Sequence, residues 1–268
     1  MNYRTITLTI DGSVAELRLN RPETLNSLSL QMFDEIGDAL HGLSSDERIR
    51  ALLVTAEGRA FCTGGDLADI AGITGRSGER SFAERLGEGM AKHVNPVVST
   101  LMGLPIPVVC AVNGIAAGGG FSFVLGCDIV VAARSARFIQ SFAKVGLIPD
   151  MGGTWLLPQI VGRPRALALS LLAEGIDAET AQAWGLIWQC VDDAALDDTA
   201  RALSRRLAAL PTRTLGLTKQ AINTSGTRTL DEQLEVEREL QVRSAASDDC
   251  REGIDAFLHR RAPVFVGH

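Results

Sequence analysis

Apolar positions alternate with polar ones from Tyr3 to Ile10 and again from Val14 to Leu19, the period expected of strands with one buried face. Asp11-Gly12 between them suits a tight hairpin turn. The period then lengthens: Leu28, Met32, Ile36, Leu40 and Leu43 recur at helical spacing. Ile49–Thr55 and Val108–Val112 are short, nearly continuous apolar runs, as in strands buried on both faces. Asp128–Ala132, Arg137–Gln140 and Leu186–Val191 also read as strands. Val94–Leu104 reads as a helix stopped by Pro105-Ile-Pro107, and Phe121–Leu125 as an apolar helix start. Arg165–Ala173 and Ala178–Trp184 complete the helices of this part. Residues 68–90 are polar and rich in Gly, Ser and Arg, which predicts loop with some helix, and the segment around 70–92 is expected to close over a bound acyl group.

Strand, strand and helix thus recur about three times, which predicts a layered or spiral α/β core over residues 1–195. Beyond that point the strands stop. Thr199–Leu210, Leu215–Asn223, Leu230–Ala245 and Asp249–His259 are charged and helical, predicting a second, all-helical region over 196–268. Its apolar residues, among them Leu230, Leu234, Leu240, Ile254, Phe257 and Leu258, need a partner surface, and a subunit interface supplies one.

Charge and cysteine content narrow the function. The 268 residues carry a net charge of −6, which does not suit a nucleic-acid partner. The five cysteines are scattered without a CxxC pair, which predicts neither disulfides nor zinc and points to a reducing, cytoplasmic setting. The four histidines lack metal-ligand spacing, so no metal is expected. The N-terminus has no apolar secretory stretch, and no apolar run reaches bilayer length.

The candidate chemistry lies in three stretches. Val145-Gly-Leu-Ile-Pro-Asp-Met-Gly-Gly-Thr-Trp155 holds one carboxylate, Asp150, among apolar residues and glycines. Lost hydration would raise its pKa and make it a proton carrier near neutral pH; alternatively it caps the helix that begins near Gly152. Phe61-Cys-Thr-Gly-Gly-Asp-Leu67 and Asn113-Gly-Ile-Ala-Ala-Gly-Gly-Gly120 each follow an apolar strand. Their glycines either make tight turns or present backbone N–H groups to an oxyanion. Neither has dinucleotide or phosphate-loop spacing. Cys62 reads as apolar filler, and Ser122 lacks the context of a nucleophile.

These stretches, with Leu17-Arg-Leu-Asn-Arg-Pro-Glu-Thr-Leu-Asn26 and Cys127-Asp128, occur in the order found in the crotonase, or enoyl-CoA hydratase/isomerase, family, and the chain resembles that family from about residue 5 to 266. The resemblance implies a spiral of ββα units with a C-terminal helical trimerisation region, assembled as a homo-trimer or dimer of trimers. It implies an acyl-CoA substrate and no cofactor, since CoA arrives as part of the substrate. It implies an oxyanion hole from the N–H groups of Gly65 and Gly119, and substrate contacts at Leu25, Asn26, Asp66, Leu67, Ala68 and Phe142. Arg260 or Arg261 would approach the nucleotide phosphates. The two glutamates that hold water in family hydratases fall at Ser122 and Phe142, leaving Asp150 as the implied acid/base of an isomerase. Ala183-Trp-Gly-Leu-Ile-Trp-Gln189 and Leu215-Gly-Leu-Thr-Lys-Gln-Ala-Ile-Asn223 resemble a subgroup acting in phenylacetate catabolism. Its members turn a ring-1,2-epoxide into an oxepin and shift β,γ double bonds to α,β. A hydratase, a fatty enoyl-CoA isomerase and a non-catalytic RNA-binding protein on the same scaffold are the alternatives.

Overall fold

The computed structural model describes residues 3–66, 69 and 81–268. The strands are β1 (Ile6–Asp11), β2 (Val14–Leu19), β3 (Ala51–Ala56), β4 (Ala60–Cys62), β5 (Val108–Val112), β6 (Ile115–Ala117), β7 (Ile129–Ala133), β8 (Arg137–Ile139), β9 (Gly175–Asp177) and β10 (Gln189–Val191). They form a six-stranded sheet, β1-β2-β3-β5-β7-β10, and a four-stranded sheet, β4-β6-β8-β9. The β1–β2 hairpin is antiparallel, turning at Gly12-Ser13 between the paired Asp11 and Val14; the rest of the first sheet is parallel.

Period-2 alternation explains how the first sheet is covered on both faces. Leu52, Val54, Val108, Cys110, Val112, Val130 and Ala132 point into one apolar cluster. Ala51, Leu53, Val109, Ala111, Val131 and Ala133 point into the other. Both faces are dry, so β3 and β5 carry no polar alternation and are buried throughout.

After β3, β5 and β7 the chain turns within a few residues into β4, β6 and β8 of the second sheet, and these three pair in parallel. That is the ββα spiral. The turns are bonded to each other: Asn113 Nδ2 donates to the carbonyls of Ala56, at 3.1 Å, and Gly58, at 2.7 Å. Of the second sheet, only β8 is legible as a strand in the sequence. β4, β6 and β9 are three residues each, too short to show a period.

The helices are α1 (Leu30–Ser44), α2 (Phe82–Gly89), α3 (Asn95–Gly103), α4 (Gly119–Leu125), α5 (Gly153–Val161), α6 (Arg163–Leu172), α7 (Ala178–Ala183), α8 (Leu196–Ala208), α9 (Thr212–Ser225), α10 (Leu230–Ala245) and α11 (Asp248–Leu258). α2 starts at a capping box, in which Ser81 and Glu84 bond each other's backbone N–H groups. A π-helical turn, Met90–Val94, joins it to α3. Residues 82–90, the last part of the stretch expected to be loop with some helix, are therefore helical. Gly72, Gly75 and Gly78 of the expected closing segment lie outside the described residues.

α8 falls in the region assigned by sequence to oligomerisation, yet it forms a layer of the core. Leu196, Ala200 and Ala208 pack on the second face of the first sheet, while Asp197, Asp198, Arg205 and Arg206 face outward. Arg201 reaches back to the buried Glu16 at 2.6 Å. The helices beyond are tied to the core by partly buried polar contacts. Lys219 Nζ meets Asp128 at 2.9 Å, and Arg50 donates to Leu210 O at 2.7 Å and Phe265 O at 2.9 Å. Asp249, 1% exposed, accepts from the N–H groups of Val266 and Gly267 and so anchors the C-terminal tail.

Candidate active site

Cys62 ends β4, and the chain passes through Thr63 and Gly64 beneath the start of α4. Gly65 pairs with Leu28 in an isolated parallel bridge. Leu28 N–H donates to Gly64 O at 2.7 Å and Asp66 N–H donates to Leu28 O at 3.0 Å. In such a bridge the N–H of Gly65 itself points away from Leu28. On the other side, Gly119 is the first residue of α4, where a helix has no internal acceptor for its N–H. The two segments approach closely because Gly120 lacks a side chain: a Cβ there would lie 2.4 Å from the carbonyl oxygen of Cys62.

Between these segments opens a cavity of about 370 Å³. Its floor includes Gly64, Gly65, Gly118 and Gly119, and its end holds Asp150 and Met151. The apolar walls come from Leu30 and Phe33 of α1, from Leu86, Met90 and Val94 of the helix that runs through the π turn, and from Phe142 and Leu147. Leu86 and Met90 fall in the segment expected to close over the acyl group; sequence reasoning missed the α1 contribution, because apolar residues at helical spacing carry no mark that distinguishes a cavity wall from core.

Asp150 does not cap α5. Gly152, at φ +78°, is the N-cap and no side chain bonds the helix end. The carboxyl instead faces the cavity, and a Cβ placed on Gly119 would lie 3.9 Å from its Oδ1. Oδ1 is buried without a hydrogen-bond partner in the protein. Burial pushes the pKa of Asp150 up to about 6, with no opposing cation. Such a carboxyl can take a proton and return it near neutral pH.

Phe142, 8% exposed, lines the cavity beside Gly118. Asp66 also lines it, but its carboxylate is held by Arg21 at 2.7 Å and Ser27 at 3.2 Å. Leu25 and Asn26 are not among the lining residues. Asn26 is fully buried, its amide donating to Glu57 O and Ala60 O and accepting from Arg21 N–H. Its side chain therefore shapes the turn, with both amide hydrogens already used within the protein. Leu67 and Ala68 lie outside the described residues. Arg260 and Arg261 do not line the cavity, and Arg261 is bound to Glu252 and Asp255. The Cys62 thiol, fully buried, is pushed up to about 12 by burial, which fits inert filler. Among the described residues no three His, Cys, Asp or Glu side chains cluster to hold a metal, and no helix is long and apolar enough to cross a membrane.

Known proteins share this architecture. Residues 9–268 match the model of the family described as enoyl-CoA hydratase/isomerase. The chain is 50% identical over 258 residues to 1,2-epoxyphenylacetyl-CoA isomerase of Escherichia coli K12, covering 96% of this chain and 97% of that one. It is 31% identical over 267 residues to trans-2-decenoyl-[acyl-carrier-protein] isomerase of Streptococcus mutans, covering 100% of both. Among solved structures, an enoyl-CoA hydratase from Polaromonas sp. JS666 superposes with a TM-score of 0.90 at 33% identity, covering 97% of this chain and 99% of that one. The crotonase-like spiral, the glycine-lined cavity and a match running almost end to end agree: the chain belongs to the enoyl-CoA hydratase/isomerase family of enzymes acting on CoA thioesters.

Proposed function

We propose that this protein is a CoA-thioester isomerase in which Asp150 shuttles a proton along the acyl group. The thioester oxygen would accept hydrogen bonds from the N–H groups of Gly65 and Gly119. These stabilise the enolate that forms when Asp150 removes the α proton of a β,γ-unsaturated thioester. The negative charge then extends to the γ carbon, the same carboxyl returns the proton there, and the double bond ends between α and β. No proton is gained or lost overall. The observation that carries this reading is the half-buried carboxyl of Asp150, its Oδ1 without a protein partner, beside Gly119 in an apolar cavity. Phe142 supports it, since an apolar wall here leaves no acid or base to hold an attacking water.

The acyl group we propose is a phenylacetyl-derived ring, converted from its 1,2-epoxide to an oxepin, with double-bond shifts on the same scaffold. The support is the 50% identity to the Escherichia coli isomerase and a cavity walled by Phe33, Leu86, Met90 and Phe142. Mass spectrometry of purified protein with aryl and aliphatic enoyl-CoA thioesters tests it. A product of unchanged mass, formed fastest from the aryl thioester, is expected; a product heavier by one water would make the protein a hydratase.

We also propose that the C-terminal helices pack against other copies, as a trimer or a dimer of trimers in the cytoplasm. Leu230, Leu234, Ile254, Phe257 and Leu258 are all more than half exposed on a single chain, with Phe257 at 83%. Light scattering at low micromolar concentration should give at least three times the chain mass of 28.6 kDa, and a monomer there would exclude the assembly.

A further inference from the structure

Three neighbouring side chains carry buried polar atoms for which the protein supplies no partner: Ser122 Oγ, both amide atoms of Gln140, and Oδ1 of Asp150. Ser122 is 1% exposed and Gln140 fully buried. Native folds bond the large majority of buried polar atoms, and a glutamine amide, which can donate two bonds and accept two, is seldom left with none.

The three belong to one neighbourhood. Gly119 and Ser122 lie three residues apart on α4, one turn above each other on the same side. Asp150 and Gly153 lie three apart at the entry to α5, joined by Gly153 N–H donating to Asp150 O at 2.8 Å. The two segments face each other in step. Gly119 fronts the Asp150 carboxyl, and Ser122 fronts Gly153. A Cβ on Gly153 would lie 2.6 Å from Ser122 Oγ and 3.4 Å from Gln140 Nε2. Those two polar atoms therefore flank one point, yet neither bonds the other. The two atoms are thus no more than about 6 Å apart, within reach of one bridging water, and a water can engage up to about four partners.

We propose that Ser122 and Gln140 hold an internal water that donates a hydrogen bond to the buried oxygen of Asp150. They are then positioning residues. They fix the orientation of the carboxyl toward Gly119 and stabilise its ionised form, countering burial. In this chain the serine occupies the place where the resemblance puts a hydratase glutamate, so the polar pair would serve the remaining carboxylate and not an attacking water. The water site stands without the assignment of Asp150 as proton carrier; only its effect on rate rests on that assignment.

The other charged side chains lining the same cavity are Lys144, Asp69 and the Arg21-bound Asp66; α3, α4 and α5 contribute none. The test is therefore the titration of Asp150 itself, read by carbon NMR of protein labelled at Asp carboxyls and assigned with Asp150→Asn. Ser122→Ala and Gln140→Met each remove the water's anchor and leave those charges in place. Each should raise the Asp150 midpoint by about one unit. Should one variant fail to fold, the other decides. An unmoved midpoint in a folded variant would overturn the proposal. So would a high-resolution crystal structure in which the Gln140 amide bonds protein atoms directly, with no water between it and Asp150. Failure of the isomerase reading shows separately, as a wild-type protein inert toward thioesters whose Asp150 still titrates as described.

Discussion

Replacing Asp150 with Asn should slow isomerisation by about two to four orders of magnitude, the scale of a positioned general acid/base. Asn keeps the size of the side chain and loses only the proton-carrying group. Binding of a non-reactive CoA thioester should survive, because the proposed oxyanion donors at Gly65 and Gly119 are backbone groups. Exchange of the α hydrogen with deuterated solvent should disappear along with turnover. The pH profile of the wild type follows from the same residue. A base must be ionised to accept the first proton, so the rate should climb as pH rises through about 6, where burial places this carboxyl. Turnover by the Asn variant at the native rate would remove Asp150 from the mechanism, and the absence of a side-chain cap on α5 already removes the simplest structural role for it.

The second large effect is on the fold. Lys219 of α9 is 9% exposed, and its ammonium is held by Asp128 at 2.9 Å and by the carbonyl of Leu101 at 3.3 Å. Asp128 also accepts from Val108 N–H at 2.7 Å. Burial pushes the Asp128 carboxyl upward even with Lys219 pulling it down. Lys219→Met keeps the aliphatic stem and strands the carboxylate. The cost should be about 3 kcal/mol, the low end for breaking a buried pair, since Asp128 keeps 22% of its side chain exposed. Adding Asp128→Asn should restore much of the loss, because the cost comes from an unpaired charge. Thermal melts of the two single variants and the double variant decide. A loss below about 1 kcal/mol would class the pair with ordinary surface bridges.

Asp128 and Lys219 also show what a linear reading can and cannot give. Both sit in stretches that carry the family resemblance, one beside Cys127 and the other after Leu215-Gly-Leu-Thr, yet nothing in the sequence says that they touch. The long elements were legible because burial imposes a period: α1 shows it through Met32, Ile36, Leu40 and Leu43, and β3 and β5 through unbroken apolar runs. The second sheet was mostly hidden, because β4, β6 and β9 are held by pairing with neighbours and not by a pattern of their own. Within the candidate site, Asp150 stood out as a lone carboxylate among glycines. Asn26 entered only through the family resemblance, and its buried contacts with Glu57 and Ala60 are what give it a place in the turn. Gln140 drew no attention, since a single glutamine after a short strand is ordinary until its surroundings are known.

The unpaired carboxyl at the cavity end also makes the folded state depend on proton concentration. In an unfolded chain Asp150 would titrate near 3.9, against about 6 in the fold. Between those values the native protein binds the extra proton, so stability is fully present below about pH 4 and falls as pH rises through about 6. At neutral pH and above the deficit amounts to at most about 3 kcal/mol, less whatever the open side of the cavity restores by hydration. Asp150→Asn carries no such charge. Its melting temperature should match the wild type near pH 4 and exceed it above pH 7, in the range where the wild-type carboxylate is ready to accept a proton.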